Sequence, residues 1–424
     1  MSVSNHRPVV KTLNSNALGK YVLVAILIGT FAARPLAAYS VLSHEAIIDA
    51  SWPRAIRPLL LRRFPAATED QLRQAHAYAY GGAIIQDMGY YPFGSKFFSD
   101  LAHYVRSGDF IAAMIRESQD INEYAFALGS LAHYAADNEG HPIAINRTVP
   151  MMYPKLRAKF GDSVTYEDNP ADHLKMEFAF DVVQVARGKY APQEYHDFIG
   201  FQVAKPLIER AFQETYCLDM NKIFSDVDRA LGTYRYTVST LIPEMTKTAW
   251  ASKRDQIRKL RAGLRRRDFV YGYSRASYHK EWDRKYDRPG VGARFLAWLF
   301  RILPKIGPLR AFAFKVPTPD AEKLFLASFD DTQQRYQSLL NEAGLNELQF
   351  QNENFDIGQP TSRGNYRLAD ETYDKLLEQL RDTSGQVSGE LRADILRFYG
   401  DTGQPASEDA RAELLALKSA PADP

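Results

Sequence analysis

The stretch that decides the fold is Leu131-Ala-His133-Tyr-Ala-Ala-Asp137-Asn-Glu-Gly-His141-Pro142. A spacing of four places His133 and Asp137 on one face of a helix, one turn apart, and His141 follows one turn later. Pro142 then ends the helical pattern. Flanking leucine and alanine residues indicate that this face is buried. Two imidazoles and a carboxylate on a buried face are the N and O donors that zinc accepts. The alternative is a surface helix on which His and Asp recur by chance.

Other histidines and carboxylates stand in patterns that say little when each is taken alone. His173 and Glu177 are also four residues apart, a spacing that is common in solvated helix pairs. Asp87 follows an apolar segment, where a lone carboxylate needs a partner or a metal ion. Single histidines are more often structural, and His44 and His103 belong to this class when considered separately. His76, His196 and His279 are interpreted as ordinary structural or surface residues.

The composition limits the class of protein. The chain has 424 residues, 45% of them hydrophobic, with 53 basic and 51 acidic side chains. This length can bury one large core, or a core and a smaller second domain. The hydrophobic share excludes a disordered polymer, and the balanced charge argues against a protein that coats nucleic acid. Because Cys217 is the only cysteine, the chain can form neither an internal disulfide nor a Cys-rich zinc site, and no disulfide-linked partner is required.

The first 38 residues predict a secretory signal peptide. Residues 1–20 carry basic side chains and no acid, an apolar run follows, and small residues offer a cleavage site near Ala38. A basic front followed by an apolar run of about 7–15 residues is typical of such a signal. We therefore expect the mature chain to begin at Tyr39 and to be exported, either to the periplasm or out of the cell. The alternative is an uncleaved membrane anchor over residues 21–38.

Apolar residues at spacings of three and four predict an all-α fold. The clearest stretches are Glu69–Ala83, Asp109–Glu117, Tyr124–Ala136, Pro170–Ala186 and Asp226–Ile242. The residues predicted to cap helices at their N-termini are Asp100, Asp109, Asp120 and Asp226, and those predicted to interrupt helices are Pro142, Pro150 and Pro154. The chain is therefore expected to be a multi-helix bundle with few strands.

The chain divides into four predicted regions. They are a signal peptide over residues 1–38, a metal-binding bundle over 39–250, a basic and aromatic connecting region over 251–317, and a helical C-terminal extension with a frayed tail over 318–424. Residues 253–267 hold eight basic side chains and one acid, and residues 291–303 add aromatic and aliphatic bulk. Together, residues 253–303 predict a patch for peripheral membrane contact. The alternative is a core helix beside a solvated charged helix.

Taken together, these residues resemble the zinc-dependent phospholipase C family, whose wider fold includes the fungal-type single-strand nucleases. The ligands of that family follow in order: the mature N-terminal residue, a nearby His, an Asp, a His, a His-x-x-x-Asp helix followed by a His, and a His-x-x-x-Glu or His-x-x-x-Asp pair. The positions in this order are Tyr39, His44, Asp87, His103, His133, Asp137, His141, His173 and Glu177. The resemblance covers residues 39 to about 250 and implies an all-α bundle with three zinc ions.

The resemblance also implies a role for each position. Asp87, His103 and His133 would hold one zinc ion, Asp137 would bridge it to a second ion held by Tyr39 and His44, and the third ion would be held by His141, His173 and Glu177. Asp87 is also the candidate general base. Glu45 and Glu139 are candidate hydrogen-bond partners of the ligand imidazoles, with a solvated surface role as the alternative.

Two departures from the family pattern affect these roles. The best-known members begin with Trp, whereas this chain would begin with Tyr39, but the ligand there is the backbone amine and carbonyl. His141 comes four positions after Asp137, where the corresponding histidine of those members comes six positions later, so the spacing departs from the family pattern at His141.

The implied activity is zinc-dependent hydrolysis of a phospholipid or other phosphodiester by a metal-activated water. Tyr90, Tyr91 and Phe93 either line the substrate pocket or pack in the core. One alternative is a single-strand nuclease on the same fold, although the fungal-type nucleases carry disulfides that this chain cannot make. The other is a metal-binding envelope protein without catalysis.

Overall fold

The computed structural model describes residues 40–189, 201–270, 314–381, 387–401 and 403–419. In this part of the chain the secondary structure is helical apart from one short antiparallel pair of strands, which confirms the all-α prediction. The predicted signal peptide, Tyr39 and residues 291–303 lie outside the described residues, as do His196 and His279.

The α-helices in chain order are α1 (Val41–Ser51), α2 (Arg57–Arg63), α3 (Glu69–Gly82), α4 (Lys96–Tyr104), α5 (Ser107–Glu117), α6 (Ile121–Glu139), α7 (Asn146–Met152), α8 (Pro154–Phe160), α9 (Pro170–Arg187), α10 (Lys205–Tyr216), α11 (Met220–Ile223), α12 (Val227–Leu260), α13 (Arg266–Phe269), α14 (Pro319–Gly344), α15 (Arg367–Arg381), α16 (Gly389–Tyr399) and α17 (Glu408–Ser419). Three tighter or wider helical segments join them: a 3₁₀ helix at Ile85–Tyr90 and π-helical turns at Trp52–Ile56 and Gly140–Ile145. Strands β1 (Glu353–Asn354) and β2 (Gln359–Pro360) form the antiparallel pair.

The five predicted helices correspond to α3, α5, α6, α9 and the first half of α12. Helix α12 continues beyond its predicted end to Leu260, and its one non-helical residue is Lys253, with φ −132° and ψ 20°. Asp120 and Asp226 are N-caps as predicted, because their carboxylates accept backbone N–H groups of the first turn of α6 and α12.

The N-caps predicted at Asp100 and Asp109 are wrong. Asp100 lies inside α4 and pairs with Lys96 one turn earlier at 2.6 Å. Asp109 lies in the first turn of α5, whose N-cap is Arg106. α4 begins four residues before Asp100 and α5 two residues before Asp109, and sequence alone does not fix where a helix begins to this precision.

The predicted helix interruptions are correct only in part. Pro154 opens α8 at its first turn, where its missing N–H costs nothing, but Pro150 lies inside α7. Pro142 lies within the π-helical turn Gly140–Ile145. The chain therefore bends into a wider turn after α6, and His141 follows Asp137 without a break in the helical path.

Close packing of α3 on α6 sets the centre of the fold. A Cβ atom added to Gly129 would lie 2.0 Å from the carbonyl oxygen of Ala79, and one added to Gly82 would lie 1.9 Å from that of Phe126. Only glycine permits this approach. As a result, Nδ1 of His133 on α6 reaches the carbonyl oxygen of Ala83, at the end of α3, at 2.9 Å.

The C-terminal extension packs on the same core as the predicted metal-binding bundle. The hydroxyl group of Tyr336 on α14 donates to the carbonyl oxygen of Leu128 on α6 at 2.8 Å. The backbone N–H of Phe355 donates to the carbonyl oxygen of His103 at 3.2 Å. Buried apolar residues from both regions form one continuous cluster. Among the described helices, none combines the length and apolarity that crossing a membrane requires.

Candidate metal centre

Eight of the nine predicted ligands are described, and all eight are buried next to one another. They form three groups, and within each group the donor atoms lie within 4.8 Å of one another. The first group is His44, His133 and Asp137, the second is Asp87, His103 and His133, and the third is His141, His173 and Glu177. Since His133 belongs to two groups, the first two are neighbours. Tyr39, the ninth predicted ligand, lies outside the described residues.

Helices on several sides of the bundle supply these side chains. The elements and their residues are α1 with His44, the 3₁₀ helix with Asp87, α4 with His103, α6 with His133 and Asp137, the π-helical turn with His141, and α9 with His173 and Glu177. The start of α1 is tied to α9 by the carboxylate of Asp181, which accepts the Leu42 N–H at 3.1 Å and the Ser43 hydroxyl at 2.6 Å. Burial raises the pKa of Asp181 to about 6, despite these hydrogen bonds. Asp181 therefore fixes the backbone immediately before His44.

Asp137 lies at the middle of the centre and faces four imidazoles. Its Oδ2 is 3.1 Å from Nε2 of His133, 3.6 Å from that of His103 and 3.8 Å from that of His141. Its Oδ1 is 3.5 Å from Nε2 of His44. One carboxylate therefore contacts imidazoles of all three groups.

The hydrogen bonds of His133 and His103 show which ring nitrogen faces the centre. Nδ1 of His133 lies 2.9 Å from the Ala83 carbonyl oxygen and Nδ1 of His103 lies 2.7 Å from that of Ser99. A carbonyl oxygen only accepts, so Nδ1 carries the proton in both rings. In the neutral ring Nε2 then presents a lone pair, and in both residues this atom points toward the carboxylate of Asp137.

An acceptor nitrogen that faces an acceptor oxygen in a buried site needs a cation between or beside the two. Nε2 of His133 and both carboxylate oxygens of Asp137 are buried without a hydrogen bond of normal geometry. When no metal is bound, protons are the cations that remain. Burial alone would lower the pKa of His103, but its contacts with Asp137 and Asp87 outweigh burial and raise it to about 10. The donor set therefore fits a metal ion.

In the first two groups, the pKa values of Asp87 and His44 shift in the direction that burial gives. Burial raises the pKa of Asp87, although contact with His103 opposes the shift. Burial, helped by the neighbouring His133, lowers the pKa of His44 to about 3. His44 is therefore neutral at ordinary pH, which is the state that binds metal.

In the third group, too, an imidazole nitrogen with a lone pair faces a carboxylate oxygen. Asn146 donates its Nδ2 to the carbonyl oxygen of Asp356 at 2.7 Å, so its Oδ1 is the atom that lies 2.8 Å from Nε2 of His173. Nε2 therefore carries the proton, and Nδ1 of His173 presents its lone pair to Oε1 of Glu177 at 2.7 Å. Burial raises the pKa of Glu177 well above its usual range, and a proton on that carboxyl satisfies the contact when no metal is present.

The other residues singled out in the sequence divide between the centre and its surroundings. The ring of Tyr90 is buried 5.9 Å from that of His103, whereas Tyr91 packs on Tyr234 and Phe93 lies under the guanidinium of Arg229.

The two glutamates proposed as imidazole partners are also placed by the structure. Glu139 pairs with Arg335 at 2.9 Å, and Glu45 is a buried carboxyl whose pKa is raised by burial and by the nearby Asp49.

His76 lies apart from the three groups: it contacts Asp49 at 3.1 Å and stacks on Trp52. Its contacts agree with the structural role expected for it.

Residues that sequence reasoning missed surround the third group. Asn146 and Asp356 contact its histidines, and Tyr166 has its ring 5.9 Å from that of His173. No spacing pattern marks any of them, because each reaches the centre from a different element.

Comparison with known proteins identifies one family. Residues 43–226 match the family model described as zinc dependent phospholipase C. The match contains all eight described candidate ligands and ends before the C-terminal extension. No curated protein and no solved structure matches the chain significantly.

Proposed function

Residues 43–226 belong to the zinc-dependent phospholipase C family, and we propose on this basis that the chain hydrolyses phosphoester bonds of phospholipids with three bound zinc ions. The observation that carries the proposal is the arrangement of buried acceptors around Asp137. Its carboxylate faces imidazole nitrogens of three groups at 3.1–3.8 Å, in positions that a cation would satisfy.

In this proposal the three groups hold one ion each. Asp87, His103 and His133 serve one ion, and His141, His173 and Glu177 serve another. His44 shares the remaining ion with Asp137 and with the backbone of Tyr39. Zinc bound in such a cluster polarises a phosphoryl oxygen and makes water acidic enough to attack near neutral pH.

The side chains of the chain itself supply orientation and proton transfer. The Nδ1–H bonds of His103 and His133 to backbone carbonyls hold both rings with Nε2 toward the centre. Asp87 is the proposed general base: burial raises its pKa, although contact with His103 opposes the shift, and a higher pKa makes a carboxylate a better proton acceptor. Its Oδ1 lies 3.5 Å from Nε2 of His103, so His103 holds it in place.

Export and membrane contact complete the proposal. Cleavage near Ala38 would free the amine of Tyr39, and an exported enzyme meets lipid at a membrane surface. Residues 253–267 carry eight basic side chains, which would favour an anionic bilayer. The structure describes this stretch as the end of α12 and the start of α13.

Zinc content and two substrates, measured side by side, test the proposed function. The purified chain should contain close to three zinc ions and should release the phosphorylated headgroup from short-chain phosphatidylcholine. Removing zinc with a chelator should abolish hydrolysis, and adding zinc should restore it.

His133→Ala and His76→Ala make a matched pair for this test, because both histidines lie beside carboxylates and only His133 belongs to the metal groups. His133→Ala should lose zinc and activity, and His76→Ala should keep both. Cleavage of single-stranded DNA without lipid hydrolysis would favour the nuclease. Three bound ions with neither activity would leave a metal-binding protein without catalysis.

A further inference from the structure

The carboxylate of Asp356 lies against the third metal group, although Asp356 belongs to the C-terminal extension and lies outside the residues that match the family. Its Oδ1 is 3.3 Å from Nε2 of His141, and the residue is only 3% exposed. In many metal sites a carboxylate orients a ligand histidine by accepting from the ring nitrogen that does not bind the metal. Nδ1 of His141 is buried without a hydrogen-bond partner among the described residues, so it is the nitrogen left for the ion when Nε2 contacts Asp356.

Two phenols fix the other oxygen of this carboxylate. Oδ2 accepts hydrogen bonds from Tyr104, at 2.8 Å, and from Tyr366. Tyr104 directly follows His103 on α4, so one donor comes from the metal-binding bundle and the other from the extension. With Oδ2 held on both sides, Oδ1 is the oxygen that faces His141.

The backbone of Asp356 reaches the second histidine of the group. Its carbonyl oxygen accepts from Nδ2 of Asn146 at 2.7 Å, and Oδ1 of Asn146 lies 2.8 Å from Nε2 of His173. Asp356 therefore contacts His141 through its side chain and is linked to His173 through a single amide group.

The charge of the third group supports a role in metal binding. Its donors are two imidazoles and one carboxylate, that of Glu177, so a divalent cation held by these groups would leave one positive charge uncompensated in a buried site. An uncompensated buried charge is costly. The first two groups would carry the same excess, since the two carboxylates Asp87 and Asp137 would serve two ions.

We infer that Asp356 is a positioning residue of the metal centre, which holds the His141 ring in place and supplies the second negative charge beside the third ion. The C-terminal extension is then a necessary part of that site. This inference rests on the zinc binding of the proposed function, but it concerns one ion of the three.

Zinc binding by the full chain tests this inference through the variant Asp356→Asn, which keeps the size of the side chain and removes its charge. The protein is dialysed against a series of chelator-buffered free zinc concentrations, and bound zinc is counted at each. Loss of such a neighbouring partner typically weakens metal binding by about 10–100-fold. We expect one ion to be weakened by this factor and two to bind as in the wild type.

Ser107→Ala is the matched control. The Ser107 hydroxyl donates to the carbonyl oxygen of Glu353 at 2.6 Å, so this variant loosens the same segment without touching Asp356 or His141. It should lower the melting temperature and keep three ions at wild-type affinity. If Ser107→Ala also loses one ion selectively, Asp356 acts only through general packing and the inference is wrong.

A second variant tests the same inference if Asp356→Asn does not fold. Tyr104→Phe combined with Tyr366→Phe keeps the charge but releases Oδ2 from both donors, and it should also weaken one ion selectively. If Asp356→Asn folds and binds all three ions with wild-type affinity, the inference is wrong. If Asp356→Asn does not fold, the same result in the double variant overturns the inference. Wild-type protein that binds no zinc would instead refute the proposed function.

Discussion

Replacing Asp137 by Asn should remove two zinc ions together and leave the third in place. Asn has the shape of Asp but no charge, so the variant tests the carboxylate itself. In the structure this carboxylate contacts His44 through one oxygen and His103 and His133 through the other, at 3.1–3.6 Å. These three imidazoles belong to the first two groups, which should therefore both depend on it.

The size of the effect follows from the charge that is lost. Two unit charges about 4 Å apart interact by about 4 kcal/mol at an effective dielectric constant of about 20. Since 1.4 kcal/mol corresponds to about a factor of ten in affinity, each of the two ions should bind about a thousandfold more weakly or worse. The third group keeps its own carboxylate, Glu177, and should change little, although Oδ2 of Asp137 is 3.8 Å from Nε2 of His141.

The assay counts bound metal by elemental analysis after dialysis at a fixed free zinc concentration that fully loads the wild type. We expect about three ions in the wild type and about one in Asp137→Asn. His76→Ala, which changes a histidine outside the three groups, should keep all three ions. Melting curves in the same buffer establish that the variant is folded. A folded Asp137→Asn variant with three ions, or with only one ion lost, would refute the bridging role.

Three further predictions concern pH, processing and the membrane. Zinc binding should release protons, because contacts with Asp137 and Asp87 raise the pKa of His103 to about 10 and the metal-free ring is therefore charged at neutral pH. Raising the pH removes this proton, so zinc affinity should increase with pH, by about tenfold per pH unit for each proton displaced. Calorimetry in buffers of different ionisation enthalpy measures the proton release, and zinc binding without proton release would contradict the charged state of metal-free His103. A chain that begins at Tyr39 should be fully active, whereas one with a tag directly before Tyr39 should bind one zinc ion less tightly and lose most of its rate, because an amide nitrogen is a poor donor to zinc; mass spectrometry gives the native start, and equal activity of both forms would exclude Tyr39 as a ligand. Trp298→Ala with Phe300→Ala, two positions outside the described residues, should weaken binding to anionic vesicles while hydrolysis of a small soluble phosphodiester stays near the wild-type rate; equal loss of both would place this segment in the core.

The sequence by itself determined the helical class and the chemistry of the donors. Spacings of three and four are local properties of a helix, so His133 and Asp137, and likewise His173 and Glu177, could be assigned to shared faces without knowledge of the fold. The presence of a single cysteine limited metal donors to His, Asp and Glu. N-cap positions were less certain, because Asp100 and Asp109 lie within first turns or inside a helix, where an acid is also favourable.

Only the tertiary structure decided how these donors meet and what holds them. Nε2 of His103 and Nε2 of His133 point at Asp137 because Nδ1 of each ring donates to a backbone carbonyl oxygen, that of Ser99 or of Ala83. The contact with Ala83 depends on the close approach of α3 and α6. Asp356 reaches His141 from more than two hundred positions further along the chain. Local periodicity carries no information about such a contact, since it depends on how α14 and the following segment pack on the bundle.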